Sequence, residues 1–248
     1  MGKRILIASP VNQKEDIFKE YLNSLRKLIV PNEIEINYYF ILHNCDNLIK
    51  YLNNNEKYDI LNDNISLIKE KNKQKQWTTE NYKKVAEMRS SILKKAREEK
   101  YDYLFMVDSD VLLHPKTLIL LLQDNKDIVG HLSWTKLSSQ GELKANCGAY
   151  EGWGTYNINE IKYPNLYKVG WTGRTTLISS KVFNNPNIDY KQILGVDNTG
   201  SEDYAFCLKA YCNIPDLEIY FDTRLPSRHL YQEKDYERWM KEKSIYEI

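Results

Sequence analysis

Apolar runs and helical patterns alternate along the first half of the chain. The runs "KRILIAS" and "IEINYYFIL" have the composition of β-strands, and between them Ile17, Tyr21 and Leu25 recur at helical spacing. A weaker strand is predicted at "NISLIKE", followed by a helix over "TTENYKKVAEMRSSILKKAREEK". Because strands that alternate with helices usually pair in parallel, this order predicts an open, mostly parallel α/β sheet flanked by helices.

The second half of the chain has a different pattern. Strands with irregular connections are predicted at "DIVGHLSW", "KANCGAYEGWG", "LYKVGWTGRTTLISS" and "EIYFDT", and one helix is predicted at "SEDYAFCLKAYC". No repeat or low-complexity linker divides the chain, so a single domain is predicted. The aromatic stripe of the C-terminal "KDYERWMKEKSIY" indicates a helix that docks on this domain rather than a membrane anchor.

Charge and composition exclude several classes of protein. Lys and Arg number 35 against 34 Asp and Glu, a balance that argues against a nucleic-acid partner or an anionic-membrane binder. No apolar run reaches the roughly 18 residues of a transmembrane helix, and no signal peptide is recognisable. The four cysteines lack CxxC spacing, which favours reduced thiols over a disulfide or zinc site. We therefore expect a cytoplasmic protein without a transmembrane segment.

The most apolar predicted strand runs directly into two aspartates. In "YDYLFMVDSD", the residues from Tyr103 to Val107 favour burial, and Asp108 and Asp110 follow at once. Ligands of open α/β sheets bind beyond the carboxyl ends of the strands, and side chains two apart in extended backbone point the same way. Two converging carboxylates repel each other unless a cation or proton lies between them. The pair therefore indicates a site for a hard divalent cation, or alternatively a turn cap beside a solvent-facing acid.

A second acidic pair and a single histidine follow later in the chain. Glu202 and Asp203 begin the helix of "SEDYAFC", where acids also complement the helix dipole without further function. His229 follows in "FDTRLPSRHLY", and a lone histidine is often a packing or capping residue. Taken separately, neither feature identifies a site.

The ordered set of these motifs resembles one family of enzymes. A first strand, "VDSD" after a buried strand, "GWTGRTTLISSKVF", "SEDYAFC" and "FDT" with a trailing His together resemble a GT-A glycosyltransferase, similar to glycosyltransferase family 2 and its bacterial relatives. The resemblance implies a Rossmann-like GT-A single domain with a mixed, mostly parallel central sheet. It divides the chain into a nucleotide-binding half (1–125), an acceptor-binding half (126–232) and a C-terminal helix (233–248).

The resemblance also implies roles for the acidic residues and the histidine. Asp110 and His229 would hold Mn²⁺ or Mg²⁺, and Asp108 would contact the ribose or the water shell of the metal. Ser109 would lie beside the donor, Asp203 would be the catalytic base, and Glu202 would orient the acceptor or the sugar.

Further residues would contact the donor on the same grounds. Arg89 would bind the diphosphate with its two-pronged guanidinium, and Lys84 either assists it or belongs to a solvated helix face. The nucleotide base would lie over Ser9, Pro10 and Val11 after the first strand, and over Asn44 and Asp46 after the second, although Asn and Asp are equally turn formers. Trp171 would offer its ring to a sugar unless it is simply core, and Gly173 would permit close backbone approach. Trp134 and Trp153 are weaker candidates of the same kind.

These roles predict an enzyme that moves one sugar from a nucleotide-sugar donor, UDP being favoured, to the hydroxyl of a glycan or other acceptor with inversion. The QxxRW motif of processive synthases is absent, which favours a single addition. One alternative is a nucleotidyltransferase, although "IASPVNQKED" lacks the glycine-rich loop of that class. The other is a non-catalytic carbohydrate- or nucleotide-binding module, which would leave the acidic residues without a role.

Overall fold

The computed structural model describes residues 2–43, 45–52, 58–63, 79–136, 142–151, 155–193 and 201–246. The strands are β1 Lys3–Val11, β2 Ile34–His43, β3 Tyr58–Asp63, β4 Tyr103–Val107, β5 Val111–Leu112, β6 Ile128–Lys136, β7 Leu143–Ala149, β8 Thr155–Asn157, β9 Leu166–Thr172, β10 Thr175–Ser179 and β11 Ile219–His229. The helices are α1 Glu15–Arg26, α2 Ile49–Leu52, α3 Thr79–Glu98, α4 Thr117–Asp124, α5 Ser180–Phe183, α6 Glu202–Asn213 and α7 Glu233–Tyr246. Within these ranges no helix combines the length and apolar character that crossing a membrane requires.

The described strands form a mixed sheet in the order β3-β2-β1-β4-β10-β6-β11-β9-β7-β8, with β5 paired to β11. The first four strands of this order are parallel, as the sequence predicts, and β6 is parallel to β11. The other described pairings are antiparallel, so the run of adjacent parallel strands belongs to the first half. Parallel neighbours need a long crossover, which the first half supplies as helices and the second half mostly does not.

Two apolar cores cover the two faces of the sheet. Along β1 and β4 the side chains alternate between them: Leu6 and Leu104 pack in the core that includes α3 and α6, whereas Ile7 and Phe105 pack in the core that includes α1 and α4. A strand buried on both faces reads as a continuous apolar run, because neither face contacts water. This layering explains why the run before Asp108 is wholly apolar.

The helix predictions agree with the structure where it is described. Helix α1 buries Ile17, Tyr21 and Leu25, and α6 begins after Ser201, whose side chain accepts a hydrogen bond from the Tyr204 amide at 3.4 Å. Helix α7 docks against α1, since the indole nitrogen of Trp239 donates to Glu20 at 2.8 Å.

The strand predictions differ from the structure in several places. The predicted strand "LYKVGWTGRTTLISS" is two strands, β9 and β10, separated by a turn at Gly173 and Arg174. The short β5 and the extension of β11 to His229 were not predicted, and β3 lies before "NISLIKE", a segment outside the described residues. None of the four cysteines, all of which are described, is in a disulfide, and Cys212 is the exposed one among them.

Candidate active site

Four strands bring chemically active residues to one edge of the sheet. Strand β4 ends there before Asp108, and β10 begins there because it is antiparallel to β4, with Thr175 opposite Val107. Strands β6 and β11 end at the same edge, and β11 finishes at His229. The carboxyl ends of β1 and β2 lie on this edge as well, because both strands are parallel to β4. Ligands of open α/β sheets occupy this position.

A buried arginine joins the two acidic pairs predicted from the sequence. Arg89 of α3 donates from Nη2 to Asp108 Oδ1 at 2.5 Å and from Nη1 to Asp203 Oδ1. Its Nη1 also lies 3.5 Å from Glu202 Oε1, and only 4% of its side chain is exposed. Its guanidinium lies over the ring of Tyr190, 5.5 Å from the centroid. A single guanidinium therefore fixes the end of β4 relative to the start of α6.

The environment of this arginine shifts the proton affinities of the cluster. Burial alone would lower the pKa of Arg89, but the carboxylates of Asp203, Asp108 and Glu202 raise it, so the guanidinium stays charged. Burial raises the pKa of Glu202 and of Asp203, and Arg89 opposes both shifts. Asp203 is thus a stronger proton acceptor than a carboxylate in water, which suits a general base.

Asp110 belongs to a second group at the same edge. It is buried rather than solvent-facing, with 8% of its side chain exposed, and its Oδ1 lies 3.5 Å from His229 Nε2. Gln13 Nε2 donates to Asp110 Oδ2 at 3.4 Å, and His229 Nδ1 lies 3.0 Å from the Thr135 hydroxyl. The Leu230 amide donates to the Asp110 carbonyl at 2.7 Å, which fixes the end of β11 against this aspartate.

The predicted divalent cation fits this group in part. Two ligands of a cation bound at about 2.1 Å lie roughly 3 Å apart, so the Asp110 oxygen and the His229 nitrogen are spaced for a shared ion. Asp108, which was predicted to contact the ribose or the water shell of the metal, accepts a hydrogen bond from Arg89. In the described part of the chain, no three His, Cys, Asp or Glu side chains form a group that could hold a metal ion. Among the His, Cys, Asp and Glu side chains of this part of the chain, Asp110 and His229 are therefore the pair that would hold the ion.

The turn between β9 and β10 lies against both acidic pairs. A Cβ atom built on Gly173 would lie 2.0 Å from Asp203 Oδ2, so no other residue fits there without a shift of the aspartate. Arg174 follows with a φ of 61°, and the Thr175 amide donates to the Gly173 carbonyl at 2.7 Å, which closes a γ-turn. The Asp108 amide donates to the Arg174 carbonyl at 2.7 Å.

The residues predicted to contact the base have different environments. Ser9 and Val11 are fully buried in β1, and Pro10 between them is partly exposed. Asn44 lies outside the described residues, and Asp46 begins a short 3-10 turn in which its side chain is not described. Their contact with a base stays a prediction.

The remaining predicted residues differ in their surroundings. Ser109 is buried between the two aspartates. Lys84 Nζ lies 3.8 Å from Oε1 of Glu80 on the same helix. Trp171 is partly buried against the core, and Trp134 donates to the Tyr163 hydroxyl at 2.8 Å. Trp153 is outside the described residues.

Sequence reasoning missed two residues that organise the site. Arg174 directly follows Gly173, which was predicted to permit close backbone approach, so its position in the sequence could have identified it. Asn146 gave no signal: it is a single polar residue in β7, yet its amide nitrogen donates to the carbonyls of His131 at 3.0 Å and Gly173 at 2.7 Å. Its oxygen accepts from the Ser133 amide at 2.8 Å, so it ties the turn to β6.

Two curated proteins of Xenopus laevis are similar to part of the chain. Procollagen galactosyltransferase 1-A and procollagen galactosyltransferase 1-B are each 28% identical to it over 156 residues, which is 55% of this chain and 26% of each relative. The chain thus spans well under half the length of these relatives.

Solved structures of S. aureus TarS share the fold. TarS aligns with a TM-score of 0.53 and 15% identity over 98% of this chain and 39% of TarS. TarS 1–349 in complex with UDP aligns with a TM-score of 0.51 and 16% identity over 89% of this chain and 60% of that chain.

The family comparison covers more than half of the chain. Residues 4–152 match the model of glycosyltransferase family 25, N-terminal domain. This range includes β1, the helix that carries Arg89, and both aspartates of "VDSD". The chain therefore belongs to glycosyltransferase family 25, whose N-terminal domain it matches, and is a glycosyltransferase of the GT-A type.

Proposed function

We propose that this protein transfers a single sugar from a UDP-sugar to the hydroxyl of a glycan or other acceptor. The observation that carries the proposal is the meeting of Asp108 with Glu202 and Asp203 around Arg89 at the carboxyl edge of the sheet. That edge is where a nucleotide binds in open α/β sheets. A binding module without catalysis would leave these three carboxylates without a role.

Two sugars are the first candidates for the donor. The Xenopus relatives are named galactosyltransferases, and structures of TarS were solved in complex with UDP and with UDP-GlcNAc. We therefore place UDP-galactose and UDP-GlcNAc at the head of the donor panel.

Each acidic residue has a proposed task in the reaction. Asp203 accepts the proton of the acceptor hydroxyl as that oxygen attacks the anomeric carbon, and Glu202 hydrogen-bonds the acceptor or the sugar. Asp108 contacts the ribose. Because the acceptor attacks from the side opposite the departing diphosphate, the product carries the inverted anomeric configuration.

A divalent cation is the proposed cofactor, held by Asp110 and His229. Mn²⁺ or Mg²⁺ would neutralise the charge that builds on the departing diphosphate. The carboxylate and imidazole of the pair suit Mn²⁺ better than Mg²⁺, since Mg²⁺ is usually bound through oxygen ligands alone.

A donor panel tests the proposed function. The protein is incubated with sugar nucleotides of different bases in the presence of Mn²⁺, and free nucleoside diphosphate is measured with and without candidate acceptors. Release of UDP from a UDP-sugar, stimulated by an acceptor, is the expected result. Pyrophosphate chemistry would instead indicate a nucleotidyltransferase, and binding without turnover would indicate a non-catalytic module.

The close approach of Gly173 to Asp203 makes a further prediction about turnover. Gly173→Ala forces the carboxylate away from its position, and we expect turnover to fall about 10- to 100-fold, because small displacements of a reacting group have effects of that size. Steady-state kinetics and a melting curve of the variant provide the measurement.

The matched control for this variant is Gly130→Ala, which adds the same methyl group in the same sheet. There the methyl group meets the side chain of Thr172 and not Asp203. We expect a loss of stability with turnover retained in the folded protein. Equal turnover losses in the two variants would contradict the special role of Gly173.

A further inference from the structure

Arg89 was predicted from sequence to bind the donor diphosphate, but its hydrogen-bonding capacity is directed inward. Both terminal nitrogens of its guanidinium face carboxylates of Asp108, Asp203 and Glu202, and its Nε is buried. With 4% of the side chain exposed, a phosphate oxygen could approach only by displacing one of these acids. The geometry therefore favours an internal positioning role for Arg89.

Arg174 lies at the same edge, but its guanidinium makes fewer hydrogen bonds within the protein than that of Arg89. Among the described residues, its side chain has one hydrogen bond, from Nη1 to the Ser133 carbonyl at 3.5 Å, and it is partly exposed. Burial lowers the pKa of Arg174, while Asp108, Asp110 and Asp203 raise it, so all three carboxylates act on this guanidinium. Its remaining N–H groups are available to a ligand that enters between them.

The backbone at Arg174 supports a functional reason for its position. A non-glycine residue with a φ of 61° at the centre of a γ-turn is strained, and such strain concentrates at ligand-binding sites. The turn is fixed on both sides, by the Asp108 amide and by Asn146, so the structure holds this conformation in place.

The acidic residues of the site favour a cationic side chain that meets the diphosphate beside the proposed divalent cation. Asp108, Asp110 and Asp203 all repel a diphosphate, and Arg89 is already shared between two of them. A donor with negative phosphates therefore needs positive charge that is not yet paired within the protein.

We propose that Arg174, rather than Arg89, contacts the diphosphate of the nucleotide-sugar donor, and that Arg89 is a positioning residue that holds Asp108 and Asp203. This inference rests on the proposed function. In it, the guanidinium of Arg174 donates to the phosphate oxygens and stabilises the charge of the departing nucleoside diphosphate.

The experiment compares Arg174→Lys and Arg89→Lys as a matched pair. Each variant keeps the charge and loses the two-pronged hydrogen bond. Affinities for uridine and for UDP are measured by calorimetry. Where uridine binds too weakly for direct titration, its affinity is measured by competition. Uridine lacks phosphates, so the ratio of the two affinities isolates the phosphate contact.

For Arg174→Lys we expect UDP affinity to fall about tenfold with uridine affinity unchanged. For Arg89→Lys we expect uridine and UDP to be affected by the same factor, because the effect passes through Asp108, and we expect turnover to fall because Asp203 is displaced. An unchanged affinity ratio in Arg174→Lys would overturn the proposal. So would a larger fall of that ratio in Arg89→Lys.

Three further outcomes also give a decision. If Arg89→Lys does not fold, Arg174→Lys and Arg174→Gln decide alone, and an affinity ratio at the wild-type value in both refutes the contact. If the wild-type protein binds UDP and transfers sugar, any failure concerns Arg174 only. If the wild type binds no nucleoside diphosphate, the proposed function itself fails.

Discussion

Asp203→Asn is expected to lower sugar transfer by about two to four orders of magnitude, because Asn cannot accept the proton of the acceptor hydroxyl. Its amide oxygen can still accept the hydrogen bond of Arg89, so the shape of the cluster is preserved. Affinity for UDP should stay close to that of the wild type, since Asp203 faces the acceptor in the proposed reaction. Single-turnover kinetics with saturating donor would measure the loss in the chemical step.

Asp16→Asn is the matched control for this variant. Asp16, like Asp203, lies in the first turn of a twelve-residue helix, but it is on α1 and far more exposed. The control therefore measures what the loss of an acid at a helix N-terminus does by itself, and we expect almost no change in turnover. If Asp203→Asn retained near-wild-type turnover, or if the product kept the anomeric configuration of the donor, Asp203 would not be the base of an inverting transfer.

Asp110→Asn is expected to lower activity by about two to three orders of magnitude, because an amide is a much weaker ligand for a divalent cation than a carboxylate. Asn keeps the volume of the buried side chain and its hydrogen bond from Gln13, so the fold should survive. His229→Gln should likewise reduce the activation of the enzyme by Mn²⁺. The measurement is activity as a function of Mn²⁺ concentration after removal of metal with EDTA.

The wild-type protein provides the decisive comparison for the metal. We expect activity to be lost in EDTA and to return on addition of Mn²⁺. For the Asp110→Asn variant, Asp102→Asn is a suitable control. Asp102 precedes β4, at the opposite end of that strand from Asp110, and accepts a hydrogen bond from the Arg4 amide at 2.8 Å. Full activity of the wild type in EDTA would show that the reaction needs no cation, and the charge of the departing diphosphate would then be stabilised by protein groups alone.

Local patterns in the sequence were sufficient for the elements that carry the acids. The continuous apolar run before Asp108 identified a strand buried on both faces, because burial excludes polar side chains at every position of such a strand. Glu202 and Asp203 marked the start of α6, since acids complement the positive end of a helix dipole, and the structure adds Ser201 as the cap. The ordered motifs also indicated a GT-A glycosyltransferase, which the family match confirms.

The tertiary structure alone decided how these elements meet. Arg89 lies 19 residues from Asp108 and 114 residues from Asp203, and no local periodicity records a contact over such separations. The γ-turn at Arg174 likewise depends on Asn146 of β7 and on the Asp108 amide just after β4. Sequence patterns report which face of a strand or helix avoids water, whereas the partner of a buried charge is set by packing between distant segments. For this reason the acids of the site could be predicted from the sequence, and the division of roles between the two arginines could be inferred only from the fold.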